Sequence, residues 1–147
     1  MATPTIHASA VLVGARAILI QGPSGSGKSC LALSLLQAAE AGALRFARLI
    51  GDDRVHVEAS HGRLLIRPAA SLAGMIEVRG LGIRHVPHES LAVAGLVVEV
   101  GTPAERLPEP AEMEIVLEGI RLPRLAVAAE NALPVLLSYL QTVPANA

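Results

Sequence analysis

Gly22-Pro23-Ser24-Gly25-Ser26-Gly27-Lys28-Ser29 is spaced Gly-x-x-x-x-Gly-Lys-Ser, the pattern of a P-loop. Backbone N–H groups can curl around phosphate oxygens only where side chains do not fill the cradle, and Gly22, Gly25 and Gly27 leave it open. Lys28 places an ammonium for the β- and γ-phosphates, and Ser29 offers its hydroxyl to Mg2+. A helix that starts at this point adds the positive end of its dipole.

The flanks supply that setting. Residues 10–13 and 17–21 are short apolar runs separated by Gly14-Ala15-Arg16, which reads as a hairpin whose second strand enters the loop. From Lys28 to about Glu40, leucines sit among alanines with no Pro or internal Gly, and Gly42 gives a stop signal, so a helix follows. Strand patterns come next at 45–50, 54–58 and 63–67, with Ser60-His61-Gly62 as a turn. Residues 74–83, punctuated by Gly, read as a loop and strand edge; 91–100 is a β-branched strand. Residues 102–110 carry three prolines and read as a surface loop. Two strands around Glu118-Gly119 fill 114–127, and a short helix over 130–141 tolerates Pro134 if it lies in the first turn. The expectation is one α/β P-loop domain over 1–147 with a mixed sheet.

Composition narrows the function. A formal net charge of −1 with only 17% charged residues lacks the basic footprint of a nucleic-acid binder. Apolar runs stop well short of a membrane span, and residues 1–10 hold no Lys or Arg to open an export signal. Cys30 is the single cysteine, so no internal disulfide forms and no grouped Cys and His ligands suggest zinc; a cytoplasmic location fits. The other histidines, His56, His61, His85 and His88, have no ligand spacing and read as exposed.

A P-loop does not name a reaction. Asp52-Asp53, after a buried strand, adds two carboxylates: one to hold Mg2+, the other to accept a proton from an attacking hydroxyl, with the roles open between them.

His7 fifteen positions before Gly22, the loop itself, Asp52-Asp53, and Ile76-Glu77-Val78-Arg79-Gly80-Leu81-Gly82-Ile83 together resemble the catalytic domain of the HPr kinase/phosphorylase family, over roughly residues 5–100. The resemblance implies a phosphoenolpyruvate-carboxykinase-like fold and an ATP- and Mg2+-dependent serine kinase acting on an HPr-type phosphocarrier. It also implies the reverse phosphorolysis and a homo-oligomer, specifically a hexamer. By the same resemblance Asp52 is the base supported by Asp53, His7 lies near the pair, Glu77 joins Ser29 at the metal, and Arg79 faces the transferring phosphoryl group. Full-length relatives carry a further N-terminal domain, and this chain is similar to short proteobacterial versions. Two departures stand out: Cys30 replaces an acidic residue after the loop serine, and Ala128-Ala129-Glu130-Asn131 stands where Pro-Gly-Arg-Asn is frequent. They motivate two rival functions, a non-catalytic ATP-binding sensor and a P-loop kinase for a small-molecule acceptor.

Overall fold

The computed structural model describes residues 4–101 and 109–142. Eleven strands and two α-helices occur among them: β1 (Thr5–His7), β2 (Ser9–Val13), β3 (Arg16–Gln21), α1 (Lys28–Glu40), β4 (Ala47–Gly51), β5 (Arg54–Ser60), β6 (Arg63–Pro68), β7 (Met75–Val78), β8 (Gly82–His85), β9 (Ala92–Val100), β10 (Glu114–Leu117), β11 (Ile120–Val127) and α2 (Ala132–Gln141).

β3 and β9 run parallel at the centre, and β11 lies parallel to β9 on its other side. β2 is antiparallel to both β3 and β4. β6 pairs with the start of β9, β5 with β6, and β1 with β5, which completes a mixed nine-stranded sheet. Alternating side chains of β3 and β9 feed two cores. Ile18, Ile20, Leu96 and Val98 pack on one face with Leu31 and Leu35 of α1 and Leu136 of α2. Leu19, Ala94 and Val97 pack on the other with Val55, Val57, Leu64 and Ile66 of the β5–β6 hairpin. Strands buried on both faces lose clean apolar and polar alternation, which is why β9 reads as one continuous apolar run.

α1 has no β-branched residue and buries Leu31, Ala32, Leu35 and Ala38 along one stripe. It ends where Gly42 adopts φ 85°, with the Ala43 N–H returning to the Ala38 carbonyl. α2 starts two residues later than its sequence pattern suggests, after a 3-10 turn over Ala129–Asn131, and Pro134 does fall in its first turn. The segment 74–83, expected as a loop and strand edge, is instead a hairpin of β7 and β8 separate from the large sheet. Only Ile76 of the hairpin is buried, while Leu81 and Ile83 are exposed, so its apolar residues follow no single face. Of the expected loop at 102–110, residues 102–108 lie outside the described residues.

Candidate functional site

Topology gathers the candidate residues at one edge of the sheet. Because β3 and β4 both run antiparallel to β2, their carboxyl ends emerge where β2 begins. The glycine-rich loop leaves β3, Asp52-Asp53 leaves β4, and Ser9, the first residue of β2, sits between them. The carboxyl ends of strands at such an edge are where open α/β sheets place ligands.

The loop closes tightly on the end of β9. A Cβ on Gly22 would lie 2.5 Å from both the Val100 carbonyl oxygen and Ser26 Oγ, so only glycine fits there. Gly27 takes φ 106° at the N-terminus of α1, which has no side-chain cap, so its first N–H groups are left without a side-chain acceptor. Lys28 is buried and donates through Nζ to the carbonyl oxygens of Gly22 and Pro23 at 2.8 and 3.1 Å. Ser26 Oγ is buried with no hydrogen-bond partner among the described residues. The segment Ala128-Ala129-Glu130-Asn131 flanks the loop, since a Cβ on Gly27 would meet Ala129 Cβ at 3.8 Å. Cys30 is exposed.

The two acids differ in surroundings. Asp52 is 6% exposed. Its Oδ1 accepts from Ser29 Oγ at 2.6 Å and from Ser9 Oγ at 2.8 Å, and its Oδ2 accepts from the Glu77 N–H at 3.2 Å. Asp53 is exposed, takes φ 70°, and pairs through Oδ1 with His7 Nε2 at 2.9 Å. A left-handed φ on a non-glycine residue costs about 1 kcal/mol or more, and local bonds hold it here. The Ala8 N–H donates to the Asp53 carbonyl, and the Asp53 N–H to Ser9 Oγ.

Loop, acidic pair, His7 and Glu77 are therefore brought together, and Arg79 follows in the exposed turn after β7. Ser9 escaped the sequence reading. Its signal was a lone hydroxyl inside the apolar run Ala8 to Val13, because a polar side chain in a buried strand needs a partner. Of the other histidines, His61, His85 and His88 are exposed as expected, whereas His56 is half-buried between Val55 and Val57.

Comparison with known proteins gives this arrangement a family. The sequence pattern described as the HPr Serine kinase C-terminal domain matches residues 1–89, more than half of the chain. The chain belongs to that family. The HPr kinase/phosphorylase of Streptococcus thermophilus is 33% identical over 140 residues, covering 86% of this chain and 43% of the relative. That of Clostridium tetani is 42% identical over 82 residues, covering 56% of this chain and 25% of the relative. The chain thus spans less than half the length of these curated family members. The solved Hpr(Ser) kinase/phosphatase of Coxiella burnetii has the same fold, with a TM-score of 0.76, 20% identity and 94% of each chain covered. No helix among the described residues is long and apolar enough to cross a membrane.

Proposed function

We propose that this chain is a Mg2+- and ATP-dependent serine kinase for an HPr-type phosphocarrier, built on a phosphoenolpyruvate-carboxykinase-like P-loop domain. The observation that carries the proposal is the pairing of Ser29 with the buried Asp52 beside an outward-turned Asp53 that holds His7. Family membership supports the acceptor class.

The residues fit the nucleotide. Open space over Gly25, an uncapped helix N-terminus and the buried Lys28 ammonium suit a polyphosphate, toward which Lys28 turns by giving up its two carbonyl partners. They also fit the metal. Among the described residues no three His, Cys, Asp or Glu side chains form a cage. Ser29 and Asp52 offer hard oxygens that would hold the ion, and the resemblance implies that the Glu77 carboxylate would join them. When bound, Mg2+ offsets phosphate charge.

Resemblance alone makes Asp52 the base; the geometry favours Asp53. Asp52 is enclosed and three donors already occupy its oxygens, which leaves an incoming hydroxyl no open approach to it. Asp53 is exposed and backed by His7, so it takes the proton as the acceptor serine oxygen bonds to the γ-phosphorus and the bond to the β–γ bridging oxygen breaks. Arg79 offsets charge on the transferring group. In phosphorolysis the same His7–Asp53 pair returns the proton to the serine oxygen. A homo-oligomer and a cytoplasmic location belong to the same proposal.

The test is transfer of label from γ-labelled ATP to HPr of the same organism by the natural chain, Asp53→Asn and Lys28→Ala. Label on the HPr serine that is lost in both variants is the expected outcome. One observation favours the sensor alternative: the segment beside Gly27 reads Ala128-Ala129-Glu130-Asn131 and brings no arginine to the loop, where the resemblance implies Pro-Gly-Arg-Asn. Nucleotide binding without labelled HPr would select it, and labelling of a small hydroxyl compound in place of HPr would select the small-molecule kinase.

A further inference from the structure

Ser9 is fully buried, and its hydroxyl bonds both acids of the site. A serine hydroxyl has one proton to donate and two lone pairs to accept with. Here the proton goes to Asp52 Oδ1 at 2.8 Å, and a lone pair receives the Asp53 N–H at 3.2 Å. We propose that Ser9 is a positioning residue for phosphoryl transfer, a clip that holds the metal-side carboxylate of Asp52 and the proton-accepting turn of Asp53 in one fixed relation. The role attributed to each acid rests on the function proposed above; the clip itself rests on the hydrogen bonds.

Ser29 and Ser9 bond the same oxygen of Asp52, but they differ in what else they must do. Ser29 lies in the first turn of α1, directly after the glycine-rich loop, so its hydroxyl is also the one the proposed function gives to the nucleotide's metal. Ser9 belongs to β2, paired on one side with β3 and on the other with β4, and so ties Asp52 to the sheet whether or not the loop is occupied. Its second bond reaches the residue whose backbone carries φ 70°. That backbone has two supports from the β1–β2 junction, the Asp53 N–H on Ser9 Oγ and the Asp53 carbonyl on the Ala8 N–H. Without the first, the Asp53 amide loses its acceptor, and the left-handed turn that aims the carboxylate at His7 relaxes.

Two substitutions test the clip. Ser9→Ala fits the space between Ala8 and Ala10 and removes both bonds; Ser9→Thr keeps a hydroxyl. Amide hydrogen exchange followed by NMR should show Asp53 exchanging at least about tenfold faster in Ser9→Ala, with Leu49 of β4 unchanged and Ser9→Thr restoring protection. In the transfer assay Ser9→Ala should lower kcat at least about tenfold with KM for Mg·ATP within about threefold, and Ser9→Thr should recover most of it. Unchanged Asp53 exchange in Ser9→Ala overturns the clip, as does faster exchange spread over all of β2 and β4, or a kcat within about twofold of the natural chain. The exchange measurement decides the question even if the natural chain phosphorylates no acceptor, so failure of the clip and failure of the kinase proposal are told apart.

Discussion

Asp52 and Glu99 are both carboxylates drawn into the body of the domain, and they are held in opposite ways. Glu99 receives two hydrogen bonds from the Arg124 guanidinium, at 2.8 and 2.9 Å, so its charge is offset inside the protein. Asp52 receives its bonds from two hydroxyls and one backbone amide, which orient it, and among the described residues no cation pairs with it. Arg124 also donates to the Glu112 carbonyl, so that pair staples β9 and β11 to the 3-10 turn before β10 and serves architecture. The physical lesson is that an acid paired with its own arginine has its charge offset within the protein, whereas one held by neutral donors is oriented without that offset.

The largest expected effect comes from removing that charge. Asp52→Asn keeps the size of the side chain and should lower phosphoryl transfer by at least about 100-fold, measured as turnover with labelled ATP, while thermal unfolding shows a folded domain. Loss of charge compensation at the other site should do the reverse. Arg124→Ala strips the half-buried Glu99 of its partner and should cost about 1 kcal/mol in urea unfolding, with turnover close to the natural chain.

Acid sharpens the contrast further. The hydrogen bonds from Arg124 hold the Glu99 carboxyl below its ordinary range, against the opposing effect of burial. The unfolded chain therefore binds this proton more readily, so the contribution is complete above the unfolded carboxylate pKa and is lost as pH falls through the folded one. The difference in unfolding free energy between the natural chain and Arg124→Ala should be full at neutral pH and shrink as pH falls below the ordinary carboxylate range. The smallest effect belongs to a third acid, Glu58, whose bond to Arg67 lies on the surface with both side chains more than 40% exposed. Arg67→Ala should change unfolding by less than about 0.5 kcal/mol, within the error of the same measurement.

How much of this was legible depends on where the controlling physics lies. The loop and α1 could be read because glycine placement and the absence of β-branched residues are local properties, and Lys28 to Glu40 forms the helix those residues suggest. The strands around the loop could be read from their short apolar runs. The β7–β8 hairpin could not, since Leu81 and Ile83 point outward and break the alternation that marks a half-buried strand. That β5 and β6 cover the second face of the sheet is a tertiary fact with no local sign. At the site, the acidic pair was visible as a pair, but which member is enclosed depends on where Ser9 and Ser29 reach in space, across 43 and 23 residues of chain. Ser9 itself follows no motif; only its isolation in an apolar strand marks it.

The central claim is that Asp52 holds an oriented, uncompensated charge for a cation that enters with the nucleotide. Calorimetric titration of ATP, with Mg2+ and with chelator, into the natural chain and Asp52→Asn tests it most directly. Affinity that rises at least about tenfold with Mg2+ in the natural chain and becomes nearly indifferent to Mg2+ in Asp52→Asn is the result expected here. An equal gain from Mg2+ in both proteins would contradict the account and return Asp52 to a structural part, like Glu99.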